Sequence, residues 1–313
     1  MSRTFKMLAF DFGASSGRVI LGKLEGKTLE IEEIHRFANE PVRIAGSLHW
    51  DVLRLFHEIK QGILKCVGNG YKDLDSMAID TWGVDFGLLD EKGKLLGNPL
   101  HYRDSLTDGM PGEAFEIIPE YEIYKKTGIQ IMKFNTAFQL LAMKNAASPQ
   151  LKAAKTILLT PDLFNYFLTG VKSTEYCIAS TTQLLDIESQ AWCGDIIAKF
   201  GFDKSIFTEI VPPGTVIGRL LPEISRELGC GAIQVVTTAS HDTQAAIVAV
   251  PALCNDFVYI SCGTWSLMGV ETDRHVVNDK SNRLNFTNEG GVANKTNFLK
   301  NIMGLWLVQE CKR

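Results

Sequence analysis

Apolar and polar positions change their period along this chain, and the changes mark its elements. Met7-Leu8-Ala9-Phe10 and Val19-Ile20-Leu21 are apolar runs on either side of a small polar turn, Gly13-Ala14-Ser15-Ser16-Gly17. After Glu25-Gly26-Lys27 the run Leu29-Glu30-Ile31-Glu32-Glu33-Ile34 alternates, so three antiparallel strands joined by tight turns are the expected opening. The period then becomes helical. Asp51 reads as an N-cap, Val52, Phe56, Ile59, Ile63 and Val67 share one face, and Gly68 and Gly70 end the helix. Met77-Ala78-Ile79 reads as a strand, and Val84–Leu89 and Lys94-Leu95-Leu96 flank the turn Asp90-Glu91-Lys92-Gly93. Helices are predicted around 113–126, 136–147, 161–168 and 194–200, strands at Thr156–Leu159 and Val235–Thr237, and a loop at Pro212-Pro213-Gly214. A second hairpin, Phe257 to Met268 around Gly263-Thr264, repeats the design of the first. Ile302 to Arg313 reads as a helix with Asn301 as its N-cap and no Gly or Pro near its end. Meander, helix, strand, helix, strand indicates an α/β fold with a mixed sheet. The boundary between halves is expected near 245–256, giving domains of 1–250 and 251–313.

Composition narrows the class without choosing within it. The 313 residues are 45% hydrophobic and 22% charged, an ordinary globular balance, with a formal net charge of −4. No basic stripe interleaves with aromatics, so nucleic acid is not an expected partner. The longest apolar stretch, Ala245 to Cys254, is interrupted by Pro251 and is too short to span a bilayer, so no membrane is expected either. The seven cysteines are scattered, with no C-x-x-C, which suggests neither zinc nor a disulfide framework. Thiols in a reducing cytoplasm are the plain expectation.

Three segments carry candidate chemistry. In Asp11-Phe12-Gly13-Ala14-Ser15-Ser16-Gly17-Arg18, Gly13 and Gly17 would let backbone approach a phosphate, Ser15 and Ser16 would donate to it, and Arg18 would add charge. Asp11, ending a strand, is placed to hold magnesium, often through water. A simple hairpin turn is the other reading. A nucleophile elbow is disfavoured because a strand, not a helix, follows Ser16. Ser240-His241-Asp242-Thr243 follows a buried strand and opens an apolar run. Asp242 there is either a helix cap or a general base for a hydroxyl, with helix-end amides favouring its charged form. Asp80-Thr81-Trp82-Gly83-Val84-Asp85-Phe86 is either a strand connection with Trp82 as core, or a sugar platform with an aromatic wall and carboxylates for hydroxyls. Tyr102-Arg103-Asp104 is a weaker candidate for the same cleft.

Together these segments resemble the FGGY carbohydrate kinases, of the actin/hexokinase-like (ribonuclease H-like) ATPase fold with two domains around a cleft. Thr127-Gly128-Ile129-Gln130, Ala179 to Leu184, Gly263 to Gly269 and Leu299 to Leu307 carry the likeness as well, which runs from about residue 7 to the last. The resemblance implies that Ala14, Ser15, Ser16, Gly17 and Arg18 line the ATP phosphates, with Thr264 and Gln309 also on the nucleotide side. It implies that Gly83, His241, Asp242, Thr243 and Asn301 hold a ketose, that Asp242 takes the proton of its terminal hydroxyl, and that Asp11 sits near Mg2+. The implied reaction is ATP-dependent phosphorylation of L-rhamnulose at C1, with xylulokinase-type or fuculokinase-type ketoses as the alternative. Family members continue past residue 313, so a C-terminally incomplete second domain is expected. From it follow three expectations: no kinase turnover by the chain alone, a strand at Phe257–Ser261 short of neighbours, and exposed apolar surface at Leu267, Met268, Leu305, Trp306 and Leu307. The other expectation open here is a shortened, non-catalytic, sugar-binding chain.

Overall fold

The computed structural model describes residues 3–254 and 256–312. Its first layer is a mixed six-stranded sheet, and the expected meander forms half of it. Thr4–Phe12, Ser16–Glu25 and Thr28–Ala38 pair antiparallel in sequence order. On its other side Thr4–Phe12 pairs parallel with Ser76–Thr81, which pairs parallel with Gln234–Val236. Val216–Arg219 closes that edge antiparallel. Three adjacent strands therefore point the same way, and their carboxyl ends share one end of the sheet. That end is where open α/β sheets bind ligands.

The helix Val52–Gly68 covers one face of this sheet. Asp51 caps it as expected, its Oδ1 accepting the Arg54 N–H at 3.2 Å. Its buried face holds Val52, Ile59 and Ile63 of the predicted stripe together with Leu55, Gly62 and Cys66, and Phe56 and Val67 pack half-buried at its margin. Phe10, Phe12, Val19, Leu21, Met77 and Ile79 meet that face in the main core, and Thr160–Thr169 packs there through Leu163, Phe164 and Leu168. A second core gathers Phe138, Leu140 and Leu141 of Thr136–Asn145 with Phe86, Leu159 and Phe200. The predicted helix at 113–126 is two, Met110–Ile117 and Glu120–Thr127, because Pro119 supplies no N–H to continue the first. The run from Phe86 makes its ladder with Thr156–Leu159, while toward Lys94–Leu96 only an isolated bridge, Leu89 to Leu95, forms. All seven cysteines are free; Cys66 is buried and Cys230 half-buried against the same core.

The C-terminal part is a four-stranded antiparallel sheet in the order Val258–Cys262, Trp265–Thr272, Thr296–Met303, Thr287–Gly290. The second hairpin is present, but the reading of 302–313 as one helix is corrected. Asn301, Ile302 and Met303 are strand, in register with Leu267, Ser266 and Trp265, and the helix spans Trp306–Lys312. Asn301 is therefore not a cap. A short apolar run fits either period, and here cross-strand pairing with Trp265–Thr272 decides. Leu267 is also buried rather than exposed, packed with Ile247, Tyr259 and Leu299. Met268, Leu305 and Leu307 are exposed as expected, whereas Trp306 is half-buried rather than exposed.

Candidate functional site

Backbone hydrogen bonds stitch the three parallel strand ends together. The Trp82 N–H donates to the Phe12 carbonyl at 3.2 Å, and the Thr81 N–H to the Ser240 carbonyl at 2.9 Å. This brings Asp11, the 80–85 segment and the 240–243 turn, remote in sequence, to one cleft of about 350 Å³. Ala14, Ser15, Ser16 and Arg18 line it from the first hairpin, Gly83 from the second segment, and His241, Asp242 and Thr243 from the third. The C-terminal sheet supplies Thr264 and Asn301, so both hairpin turns open onto the same space.

Two predicted residues stand apart. Gly17 does not line the cleft. A Cβ there would sit 2.2 Å from the Phe37 ring, so its missing side chain serves packing between strands rather than approach to a ligand. Gln309 falls in the helix Trp306–Lys312, and its side chain lies outside the described residues.

The first turn is held from behind. Asn39 Nδ2 donates to the Gly13 carbonyl at 2.8 Å, and the Asn39 N–H to the Ser15 carbonyl at 3.0 Å. Arg18 Nε lies 2.9 Å from Asp11 Oδ2, so the two charges expected to serve phosphate and metal are partnered with each other. The Asp80 carboxyl is pushed well above the usual carboxylate range, first by burial and then by the charges of Asp11 and Asp242. This corner holds closely spaced oxygen donors and surplus negative charge, the chemistry a hard cation such as Mg2+ relieves. Among the described residues no ready-made cage of three or more ligating side chains exists, and Mg2+ characteristically keeps several waters.

The 240–243 turn is set by a residue that sequence reading did not single out. Buried Glu175 accepts the N–H groups of Cys177 at 2.8 Å and Ile178 at 3.1 Å, capping its own helix. Its Oε2 also takes the Ser240 N–H at 3.0 Å. The capping reading of the turn is corrected: the N-cap is His241, with no side-chain cap bond, and Ser240 Oγ donates to the Thr238 carbonyl instead. Asp242 Oδ1 accepts from the adjacent Thr243 N–H at 2.6 Å and hydroxyl at 3.2 Å. The expected direction of its acidity is corrected too. Burial raises the Asp242 carboxyl above its usual value; the positive His241 and the Thr243 donors pull it down but, with the Asp11 charge adding to the rise, do not overcome burial. His241 lies 3.4 Å from Asp242 and its Nδ1 3.1 Å from Glu289 Oε2. Burial would lower the imidazole, but Glu289, Asp242 and Glu175 outweigh it, so His241 holds its proton above the ordinary histidine range.

The Asp80–Phe86 segment combines both of its readings. Trp82 is buried, its ring tilted at 33° to that of Trp50 with centroids 4.0 Å apart, and still lines the cleft. Beside it Gly83 leaves little room: a Cβ there would lie 3.2 Å from the Thr181 side chain, closer than ordinary van der Waals contact. Val84 follows at φ 67, an uncommon conformation for a β-branched residue. It is clamped by Thr181 Oγ1, which accepts its N–H at 3.1 Å, and by the Thr136 hydroxyl, which donates to its carbonyl at 2.6 Å. The expectation that both carboxylates meet sugar hydroxyls is corrected for Asp85. It is buried behind the platform, accepting from Trp50 Nε1 at 2.5 Å, Trp82 Nε1 at 2.9 Å, Gln139 Nε2 at 2.9 Å and the Tyr102 N–H at 3.2 Å. Desolvation outweighs these donors and pushes it up to about 7.

Tyr102, Phe134 and Trp265 form an aromatic wall, with ring centroids 5.4 and 5.6 Å apart in turn. The Arg103 guanidinium lies behind it, 5.1 Å from the Trp265 ring and 4.8 Å from the Trp306 ring. Gln130 and Trp265 lie in segments that carry the family likeness, which assigns them no role of their own, and sequence reading does not single out Phe134 or Glu289 as site residues.

Residues 6–249 match the model of the FGGY family of carbohydrate kinases, N-terminal domain. A rhamnulokinase of Oceanobacillus iheyensis is 47% identical over 306 residues, which is 98% of this chain and 64% of that protein. A rhamnulokinase of Bacteroides thetaiotaomicron is 45% identical over 304 residues, 97% of this chain and 62% of its own length. The chain thus spans less than two thirds of the length of these curated relatives. Among solved structures, a ligand-bound xylulose kinase from Lactobacillus acidophilus superimposes with a TM-score of 0.87 at 16% identity, over 98% of this chain and 62% of that one. A Plasmodium falciparum glycerol kinase with ADP gives 0.82 at 17% identity, over 98% and 64%. Among the described residues no helix is long and apolar enough to cross a membrane.

Proposed function

This chain belongs to the FGGY family of carbohydrate kinases, and on that premise we propose that its cleft is where the γ-phosphoryl group of MgATP passes to the C1 hydroxyl of L-rhamnulose. One observation carries the reading: half-buried Asp242 opens onto the same cleft as both Gly-containing hairpin turns. A proton acceptor thus faces groups suited to a polyphosphate.

The turn Ala14 to Ser16, with Arg18, holds phosphate oxygens, and Thr264 meets them from the C-terminal sheet. Gly83, His241, Thr243 and Asn301 orient the ketose, and the aromatic wall excludes water beside it. Asp242 receives the hydroxyl proton. A loose phosphoryl-transfer transition state asks for little proton abstraction until late, so a carboxylate suffices. Asp11, with Asp80 and Asp242 close by, would hold Mg2+. The ion, when bound, neutralises charge on the transferring phosphates. The carboxylate oxygens of that corner suit a hard cation, since Asp80 is already forced toward its neutral form by burial and by its acidic neighbours.

The test is transfer itself. Because the chain spans 64% of the O. iheyensis relative, turnover is measured on this chain joined to the part of that relative beyond the match. With MgATP and a panel of ketoses and polyols, L-rhamnulose is expected to give the highest kcat/KM, with phosphate on C1 by 31P NMR. A clearly higher value for L-xylulose, D-xylulose, L-fuculose or glycerol moves the assignment to a sister kinase. The 313-residue chain alone is proposed to bind the ketose without turning over.

A further inference from the structure

Gln130 lies on the cleft, 4% exposed, and reaches across to the C-terminal sheet. Its Oε1 accepts two hydrogen bonds from Asn301, from the backbone N–H at 3.2 Å and from Nδ2 at 3.1 Å. An amide has one accepting and one donating end. A backbone N–H can only donate, so the Gln130 amide has one permitted orientation, oxygen toward Asn301. Its Nε2 is therefore turned away from Asn301, and among the described residues no protein acceptor meets it. The Asn301 amide is fixed by the same logic. Its Nδ2 is engaged with Gln130, which leaves Oδ1 without a protein donor.

We infer that Gln130 is a specificity-determining residue of the acceptor subsite, its NH2 and the Asn301 carbonyl oxygen forming a donor–acceptor pair that reads neighbouring hydroxyls of a neutral polyol. The inference rests on the reading of this cleft as a ketose site and adds to it a residue and a selection rule. A hydroxyl accepts from Gln130 Nε2 and its neighbour donates to Asn301 Oδ1. A carboxylate cannot make the second bond, because it has no proton to donate to Asn301 Oδ1. Sugar acids are thus selected against. The pair is rigid before any ligand arrives. Asn135 Nδ2 donates to the Gln130 carbonyl at 2.9 Å, and the Ile131 N–H donates to Asn285 Oδ1 at 2.9 Å. Little ordering remains to be done on binding.

Calorimetry on the 313-residue chain tests this, with L-rhamnulose, four analogues each lacking one hydroxyl, and gluconate. Gln130→Glu keeps an oxygen for Asn301 and removes the donor; Gln130→Leu removes both. The parent chain is expected to bind L-rhamnulose, to bind at least one deoxy analogue roughly tenfold more weakly, and to bind gluconate more weakly still. In Gln130→Glu the same analogue should bind no more weakly than L-rhamnulose itself, since the contact it lacks is already gone. A merely structural role would weaken every ligand equally. Parent-like affinities in both variants, or an unchanged analogue ranking in Gln130→Glu, overturn the inference while the ketose site stands. No binding of any ketose or polyol by the parent overturns both. If Gln130→Leu does not fold, Gln130→Glu carries the test.

Discussion

Asp242 owes its use as a base to a balance of neighbours. Burial raises its carboxyl, and the positive His241 beside it opposes that. Removing the imidazole charge leaves burial less opposed, so His241→Asn should move the acid limb of the pH–rate profile to higher pH. An unmoved limb, measured at saturating ketose, would dissociate the two residues. Asp85 predicts a stability effect with a definite sign. Its folded value of about 7 lies above the roughly 3.9 of an unfolded aspartate, so the folded state binds the proton more tightly. Its contribution is complete below the unfolded value and is lost as the pH rises through about 7. The difference in Tm between the parent and Asp85→Asn should therefore shrink from pH 4 to pH 8, and a constant difference would contradict the account. At this scale the sequence shows residue types and hides partners. Asp242 and Gly83 were readable as candidates, whereas Gln130 and Asn301 are 171 residues apart and meet only through the fold.

Elements whose signal is local were legible. The two hairpins carry their own turns, and Asp51 announces its helix one residue ahead. Elements settled by distant pairing were not. Asn301–Met303 needs Trp265–Leu267 beside it to be a strand, and for the legible run from Phe86 it was the ladder partner, Thr156–Leu159, that the sequence hid. Gly17 is the same lesson in packing, because a phosphate turn and a cross-strand contact ask for the same residue. Gly17→Ala is expected to cost about 1–3 kcal/mol of stability by denaturant unfolding, through overpacking against Phe37. In a Phe37→Ala background the same Gly17→Ala substitution should cost less, so that the two effects are less than additive. A neutral single substitution would mean the strands have room that the 2.2 Å contact denies.

Over the whole molecule, the two sheets meet at the carboxyl ends of three parallel strands, and the cleft lies between them. The fold class and this meeting of motifs were legible because each motif sits at a strand end. The depth at which Asp85 and Glu175 lie behind the cleft was not, since burial belongs to the assembled layers. The outer edge of the C-terminal sheet is the strand Val258–Cys262, with Val258 and Ile260 exposed. An apolar unpaired edge of this kind promotes association. Light scattering during size exclusion should show the 313-residue chain self-associating, and Val258→Lys with Ile260→Lys should reduce it; a monodisperse parent would contradict this. The central claim is that Asp242 takes the acceptor's proton in this cleft. Its most direct test is the Asp242→Asn substitution in the chain joined to the remaining part of the O. iheyensis relative, with turnover on MgATP and L-rhamnulose and ketose affinity read from the same samples. The account predicts that turnover falls roughly 10²-fold or more while affinity stays within a few-fold of the parent. Turnover near that of the parent would contradict it.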